Sequence, residues 1–361
     1  MSVSGDFGIV NQIEFQGRSF AGASVANYGV VETGDIVYTK SPLKSNPYGI
    51  IKANKGKNGI VSTLYAVYKP KQSVNPEFVQ IYFEQDARMN NYMHPLVNKG
   101  AKNDMKVSAE NALKGQIVFP DIKEQRTISE FFRNLETLIT LHQRKYEKLV
   151  NIKKSMLNKM FPPNGASVPE IRFKGFTDPW EQRKLKELYF QLTERNTDLL
   201  PYQKTLSVAT MSFKTDGNGA ADTSLANYKR LRTGDIAFEG HTSKEFRYGR
   251  FVLNDVGDGI MSPRFSALRP LHEMPINFWK YYIHYEPIMR KVLVNSTKAG
   301  TMMNELVIND FLQGSILVPS MAEQQAIGRF FKQLDTLITL HQRKLEKLQN
   351  IKKSCLEKMF V

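Results

Sequence analysis

One block of the sequence occurs twice. Residues 124–161 and 323–360 align without gaps, and 27 of the 38 aligned positions are identical. Their offset of 199 residues is too long for a solenoid of small stacked units. Each block therefore follows a whole domain, and the chain is predicted to run as domain, helix, domain, helix. Two similar domains on two nearly identical spacers suit a protein that contacts two similar targets a fixed distance apart.

Length and charge limit the class of protein. The 361 residues can form two domains with cores of their own, and the formal net charge of +15 favours a polyanionic partner, with nucleic acid as the leading candidate. The alternative is a protein that is merely basic. No apolar run has the length of a membrane span and the N-terminus lacks a targeting pattern, so a cytoplasmic protein without membrane contact is expected. Its single cysteine, Cys355, predicts neither an internal disulfide nor a zinc cluster.

Both copies of the block have the signals of a long helix. Ser320 followed by Glu323 fits a capping box, Asp121 followed by Glu124 is a weaker one, and Pro162 ends the first copy. Apolar residues repeat with the 3-4 spacing of a coiled coil, which predicts a helical seam along a rod about 57 Å long. The seam residues are Ile128, Phe132, Leu135, Ile139, His142, Tyr146, Leu149, Met156, Met160, Ile327, Phe331, Leu334, Ile338, His341, Leu345, Leu348, Cys355 and Met359.

Two features of the helices go beyond the seam. The apolar residues Phe131, Leu138 and Leu141 widen the stripe, and a pair of helices would leave them exposed, so we expect another protein to cover them. His142 and His341 lie on the seam near its middle. Metal or proton chemistry is one interpretation, and a polar residue that fixes the register of the pair is the favoured one.

The two globular regions are also related. Thr33–Ile36 matches Thr233–Ile236, and turn glycines recur at the same offset, whereas the loops between these anchors differ. Strands are predicted at residues 35–38, 60–68 and 116–119 and helices at 77–85 and 276–285, which gives a mixed α/β (α+β) fold. Because divergent loops usually carry recognition, their basic residues are the candidates for DNA contact. These residues are Lys40, Lys44, Lys52, Lys55, Lys57, Lys99 and Lys102 in the first region, and Lys244, Arg247, Arg250, Arg264 and Lys298 in the second.

The sequence shows no pattern of catalytic chemistry. Residues 49–57 have the wrong spacing for a Walker A loop, and no His, Cys and carboxylate set has the spacing of metal ligands. Asn46-Pro47-Tyr48 lacks the second proline of the loop with which amino-methyltransferases hold a flipped base. No catalytic residue and no metal site is therefore predicted.

Several motifs together resemble one family. In each copy a proline (Pro120 or Pro319) precedes Glu-Gln, Phe-Phe, Leu-Ile-Thr-Leu-His-Gln-Arg-Lys, Lys-Lys-Ser and Lys-Met-Phe, and residues 168–176 read Val-Pro-Glu-Ile-Arg-Phe-Lys-Gly-Phe. The chain resembles the specificity (S) subunit of type I restriction-modification enzymes over almost its whole length. The resemblance implies a non-catalytic subunit whose two target recognition domains each read half of a bipartite DNA site. It also implies that the two long helices pair antiparallel and set the unspecified spacer between the halves.

The resemblance also implies partners and cofactors. Double-stranded DNA, two DNA-methyltransferase (modification) subunits and restriction/translocase subunits would bind the chain. S-adenosylmethionine, ATP and Mg²⁺ would belong to those subunits, with no cofactor bound by this chain. The expected domains are recognition domain 1 (1–123), helical spacer 1 (124–161), a linker (162–167), recognition domain 2 (168–322) and helical spacer 2 (323–361).

The first recognition domain departs from the family pattern. Ser207-Val208 aligns with Ser2-Val3, so residues 168–206 have no counterpart ahead of Met1, and an opening segment is expected to be missing. This leaves an alternative function open, in which the chain is a scaffold that binds methyltransferase subunits without reading DNA. An independent enzyme is disfavoured by the absence of catalytic motifs.

Overall fold

The chain folds into two compact units. The computed structural model describes residues 1–18, 25–40, 46–99, 105–162, 166–214 and 222–360. Unit 1 comprises Met1–Arg144 with Gln342–Val361, and unit 2 comprises Lys145–His341. The boundary between the units therefore falls within each of the two long helices, and each unit contains one end of both.

Unit 1 is a small antiparallel α/β domain. Its central sheet has the order β5-β4-β7, with the two-stranded pairs β3-β6, β1-β2 and β8-β9 beside it. The elements in chain order are β1 (Ser2–Ser4), β2 (Gly8–Val10), α1 (Gln12–Gln16), β3 (Gly29–Val31), β4 (Ile36–Thr39), β5 (Ile51–Ala53), β6 (Gly59–Val61), β7 (Tyr65–Tyr68), α2 (Pro76–Tyr82), α3 (Asp86–Met93), β8 (Asn98–Lys99), β9 (Met105–Lys106) and the long helix α4 (Ile122–Met160).

Unit 2 repeats this plan with a larger sheet. Its central sheet has the order β11-β18-β15-β16, and β10 pairs with β21. The elements are β10 (Glu181–Lys184), β11 (Tyr189–Gln191), β12 (Leu206–Ser207), β13 (Ser212–Phe213), α5 (Asp222–Leu225), β14 (Lys229–Leu231), β15 (Ile236–Glu239), β16 (Arg250–Leu253), β17 (Gly259–Met261), β18 (Ala267–Pro270), α6 (Ile276–Tyr282), α7 (Glu286–Ser296), β19 (Thr297–Lys298), β20 (Glu305–Leu306), α8 (Ile308–Gln313), β21 (Ser315–Val318) and the long helix α9 (Met321–Lys358).

The mixed α/β fold predicted from the sequence is confirmed, and the cores explain it. β4 and β15 are buried along their whole length, as expected for central strands covered on both faces. The unit 2 core contains fully buried aromatic side chains, among them Trp279 and Tyr282 of α6 and Phe311 of α8. Buried aromatic side chains of this size dominate the energetics of a core.

Both long helices begin at the predicted caps. The Asp121 carboxylate accepts the backbone N–H groups of Lys123 and Glu124 at 2.8 and 2.9 Å. The Ser320 hydroxyl accepts the backbone N–H of Glu323 at 3.4 Å. These bonds satisfy donors that the first turn of a helix leaves without an intrahelical acceptor, and they explain why the helices start here.

The two long helices pair antiparallel in each unit, as predicted. In unit 1 Glu136 of α4 forms an ion pair with Lys352 of α9, and in unit 2 Lys153 of α4 pairs with Asp335 of α9 at 2.6 Å. The two pairs occupy equivalent positions of the repeated block. Lys153 and Lys352 interrupt the apolar heptad in the sequence, and each finds its carboxylate on the facing helix.

Three sequence predictions differ from the structure. Residues 116–119 were expected to form a strand but form none, because their unit 2 equivalent β21 pairs with β10 and the described part of unit 1 offers no such partner. The predicted strand 60–68 is two strands, β6 and β7, separated by a turn. The predicted helices 77–85 and 276–285 are shorter, and end as α2 at Tyr82 and α6 at Tyr282.

Candidate nucleic-acid interface

Three loops of unit 2 meet at one end of its central sheet. They are residues 240–249 after β15, 262–266 before β18 and 299–304 between β19 and β20. The backbone N–H of Asn304 donates to the Gly240 carbonyl oxygen at 2.9 Å, and the Asn304 side-chain amide donates to the Arg247 carbonyl oxygen at 3.3 Å. The Arg264 guanidinium lies 3.3 Å from the Met302 sulfur. We call the exposed surface of these loops and of Lys298 the loop face.

Glycine allows the loops to pack this closely. A Cβ atom at Gly240 would lie 2.0 Å from the Asn304 carbonyl oxygen, and one at Gly300 would lie 2.4 Å from that of Met303. Any larger residue at Gly240 would push the first and third loops apart. The loops line an open pocket of about 400 Å³, with Phe265 and Met302 in its wall. The backbone of the loop face is therefore held in place by contacts between its own loops.

Four of the five basic candidates of unit 2 are exposed on the loop face. They are Lys244, Arg247, Arg264 and Lys298. Arg250 is different, since its guanidinium lies 5.1 Å from the Phe246 ring, donates to the Ala209 carbonyl oxygen at 3.0 Å and lies 3.4 Å from Glu239. These contacts hold Arg250 against the protein, half-buried, so it supports the loop face more than it projects from it.

The structure adds two exposed side chains that the sequence analysis missed. His241 directly follows Gly240 and its imidazole contacts the Glu239 carboxylate, while Met302 lies at the tip of the third loop. Only Lys and Arg are candidates from the sequence, because positive charge is the criterion applied there for a DNA contact. The signal that could have identified them is their position, because both residues fall in segments that differ between the two related regions.

The basic candidates of unit 1 are not gathered in the same way. Lys40 directly follows β4, at the end of the sheet that corresponds to the loop face, whereas Lys55 and Lys57 follow β5 at the opposite end, next to the Gly34 turn. Lys44 and Lys102 lie outside the described residues, and for Lys99 only the backbone, in β8, is described.

Lys52 lies in the interior of unit 1. It is 7% exposed, its ammonium group lies 3.7 Å from the Glu84 carboxylate, and burial lowers its pKa. Lys55 lies 3.8 Å from Glu77 but keeps about half of its side chain in solvent. Among the candidates of unit 1, Lys40, Lys55 and Lys57 are thus the described ones whose placement is compatible with contact to a polyanion.

An ionic network fixes the end of the unit 2 sheet that lies away from the loop face. Arg269 donates to both carboxylate oxygens of Asp235 at 2.9 and 2.8 Å and also contacts Glu194. Arg232 donates to Glu194 at 2.8 Å, and this hydrogen bond lowers the pKa of the Glu194 carboxyl. The positive charges of this network are neutralised within the protein, so they add little to the field that a nucleic acid would meet.

The predicted helix seam is buried at its ends and half-buried in its middle. Ile128, Phe132, Leu135, Met160, Ile327, Phe331 and Leu334 are buried. The intermediate positions are Ile139, His142, Tyr146, Leu149, Met156, Ile338, His341, Leu345, Leu348 and Cys355. Met359 is an exception with 42% exposure, because Leu356 and Phe360 instead face the cluster of Phe78 and Phe132. Met359 follows the last residue of α9, so the heptad register predicted from the sequence does not continue to it.

Apolar residues remain exposed along both helices. Phe131, Leu138 and Leu141 form such a stripe on the unit 1 part of α4, as the sequence indicated. Leu337 and Leu340 of α9, which are equivalent to Leu138 and Leu141 in the repeated block, are exposed on unit 2. Unit 1 thus presents an apolar patch on α4, and unit 2 presents the equivalent patch on α9.

Within the described ranges, no three or more His, Cys, Asp or Glu side chains come close enough together to hold a metal ion. None of the helices in these ranges combines the length and the apolar character required to cross a membrane.

Comparison with known proteins gives consistent matches. Residues 178–350 match the family model for the type I restriction modification DNA specificity domain. Over 349 residues the chain is 20% identical to a type I restriction enzyme MjaX specificity subunit from Methanocaldococcus jannaschii, covering 91% of this chain and 78% of that protein.

Two solved structures are also similar. The HsdS subunit from Thermoanaerobacter tengcongensis is 16% identical with a TM-score of 0.46, covering 94% of this chain and 83% of that one. A type I restriction-modification S subunit from M. genitalium is 14% identical with a TM-score of 0.46, covering 92% and 84%. By these sequence matches, residues 178–350 are similar to the type I restriction modification DNA specificity domain, and the chain as a whole is similar to a type I restriction enzyme specificity subunit.

Proposed function

We propose that this chain is the sequence-reading subunit of a type I restriction-modification complex and that the loop face of unit 2 contacts one half of its DNA site. The observation that carries the proposal is the convergence of four exposed basic residues within the segment that matches the DNA specificity domain. Three of them lie on the interlocked loops, and Lys298 lies beside them at the end of β19. The net charge of +15 supports a polyanionic ligand.

The side chains of the loop face suit two kinds of contact. Arg247 and Arg264 carry planar guanidinium groups that can donate two parallel hydrogen bonds to the N7 and O6 atoms of guanine in the major groove. Lys244 and Lys298 carry point charges that suit phosphate oxygens. Because glycine contacts already fix the loops, binding costs less conformational entropy than it would for unpaired loops.

The duplicated architecture supports a bipartite target. Each unit is built on the same sheet plan and contains one end of both long helices. In this proposal unit 1 contacts the second half of the site, with Lys40 on the corresponding sheet end, and the paired helices set the unspecified spacer between the halves.

The chemistry would come from partner subunits. The exposed apolar patches on α4 and α9 would be covered by methyltransferase subunits, one for each patch, because exposed apolar surface of this kind marks protein contacts. Restriction/translocase subunits would join them. S-adenosylmethionine, ATP and Mg²⁺ would bind to these partners, with this chain acting as a non-catalytic subunit.

The test is DNA binding by the reconstituted complex of this chain with its methyltransferase partner. Affinity should fall steeply with salt, and Arg264→Gln should weaken binding to the cognate site by about 1–3 kcal/mol while binding to random DNA changes much less. Arg183→Gln is the matched control, since Arg183 is exposed on unit 2 away from the loop face and pairs with Glu181. Partner binding without any specific DNA footprint would favour the non-reading scaffold instead.

A further inference from the structure

We propose that Met302 contacts the 5-methyl group of a thymine in the base pair next to the guanine that Arg264 reads. The two side chains would then select two neighbouring base pairs of the DNA site. This inference rests on the proposed DNA-reading function of the loop face, and it adds a specificity-determining residue that carries no charge.

Met302 is an exposed apolar side chain beside an apolar recess. It lies at the tip of the third loop and is 70% exposed. A single exposed apolar residue is ordinary on a protein surface. Met302, however, borders the open pocket of the loop face, whose wall also contains the apolar side chains of Phe265, Met303 and Leu306. The basic residues of the loop face account for contacts with phosphate and guanine, and they leave this apolar surface without a ligand.

Contacts within unit 2 hold the tip of the third loop in place. The backbone N–H of Asn304 donates to the Gly240 carbonyl oxygen at 2.9 Å, just after the tip. The Arg264 guanidinium lies 3.3 Å from the Met302 sulfur, within the range of a weak N–H donation to a thioether. Met302 is therefore presented from a fixed backbone, while its unbranched side chain can adapt its shape to a bound surface.

The major groove of DNA offers one apolar group at its base edges, the 5-methyl group of thymine. The minor groove offers none, because its base edges carry only hydrogen-bonding atoms. An exposed methionine can also act as a wedge between base pairs, but such wedges enter from the minor groove. The guanine contact proposed for Arg264 places the loop in the major groove, which favours the methyl contact.

The distance between the two side chains indicates which base pair Met302 meets. Neighbouring base pairs are stacked about 3.4 Å apart, close to the 3.3 Å between the Arg264 guanidinium and the Met302 sulfur. With the guanidinium in the plane of guanine, the thioether can lie over the edge of the adjacent pair. Apolar atoms contact each other at about 4 Å. A thymine methyl group at that edge is within this reach, whereas cytosine carries only a hydrogen atom at the same position.

The first test is selection of binding sites from random-sequence DNA duplexes by the complex of this chain with its methyltransferase partner. One half of the selected motif should contain a T·A pair, in either orientation, next to a G·C pair. Arg264→Gln should remove the preference for guanine. Met302→Ala should remove the preference for thymine and keep that for guanine, and the retained guanine preference shows that the loops remain folded.

Met321→Ala is the matched control. Met321 is 50% exposed and begins α9, so it is a methionine of similar exposure in the same unit. The first turn of α9 contacts α6, where Trp279 donates to Gln324 at 2.9 Å, beyond the Pro270 end of β18 and away from the loop face. This variant should therefore keep both base preferences.

The second test isolates the methyl group by replacing the selected thymine with deoxyuridine. The replacement removes one methyl group and keeps the hydrogen-bonding atoms of the base. In anisotropy titrations at one salt concentration it should weaken binding about fourfold, the effect of burying one such group. The Met321→Ala complex should show the same loss. The Met302→Ala complex should bind both duplexes equally.

Three results would overturn the proposal and leave the proposed function intact. They are a selected half-site without thymine next to the guanine, equal binding of the thymine and deoxyuridine duplexes by the unchanged complex, and a deoxyuridine effect that is undiminished in Met302→Ala. Failure of the proposed function has a different readout, because the unchanged complex would then select no motif, and the thymine contact would fall with it.

Discussion

Leu356→Ala tests where the end of α9 packs in unit 1. Leu356 is 9% exposed and belongs to a buried cluster with Phe78, Ile128 and Phe132, on α2 and the start of α4. Truncating a buried leucine to alanine costs about 2–5 kcal/mol, and the position of Leu356 near a helix end favours about 2–3 kcal/mol. The neighbouring Met359→Ala is the matched control. Met359 is 42% exposed, so its truncation should cost less than about 1 kcal/mol.

Hydrogen exchange is the suitable assay, because both tryptophans, Trp180 and Trp279, lie in unit 2 and their fluorescence would not report on unit 1. A loss of about 2 kcal/mol should accelerate exchange of the α2 amides about thirtyfold in Leu356→Ala. The amides of α6 in unit 2 should be unchanged. Equal acceleration in Met359→Ala would refute the packing described, and would restore the heptad register that the sequence alone predicted.

Three further predictions concern unit 2. Arg172→Ala should destabilise it by about 3–5 kcal/mol in urea unfolding followed by tryptophan fluorescence, because the Glu323 carboxylate, 1% exposed, would lose its two bonds from Arg172 at 2.8 and 2.7 Å. Burial lowers the pKa of His284 below its value in the unfolded chain. The contribution of neutral His284 to stability is therefore present above about pH 6.5 and is lost as pH falls below it. In His284→Phe, the unfolding free energy should depend less on pH below about pH 6.5. Gly240→Ala should weaken specific DNA binding by the partner complex in an anisotropy titration, since the added Cβ displaces Asn304 and opens the loop face; unchanged affinity would contradict the role given to loop packing.

Much of the helical architecture follows from local pattern. The 3-4 spacing of apolar residues places Ile128, Phe132, Ile327 and Phe331 in the buried seam, and the caps place the helix starts. The error at Met359 has a tertiary cause. Contacts with α2 and with Arg88, which donates to the Leu356 and Phe360 carbonyl oxygens at 3.0 and 2.9 Å, select the face of the last turn.

The strands and the candidate interface depend on contacts between distant residues. Residues 116–119 and 315–318 have similar apolar sequences, yet only the second forms a strand, because only it has β10 as its partner. Lys52 and Arg264 are both candidates from the sequence, because each is a positive charge in a divergent segment. The structure separates them, since Lys52 is buried and Arg264 is exposed. No local signal distinguishes a lysine paired with Glu84 in the interior from an arginine on the loop face.

Mapping modified bases in the genome of a host that carries this chain with its methyltransferase partner tests the central claim most directly. The account predicts a bipartite motif with an unspecified spacer. In a strain with Arg247→Gln and Arg264→Gln, only one half of that motif should relax, because both residues belong to the loop face of unit 2. The absence of any motif, or the same change in both halves, would contradict the account.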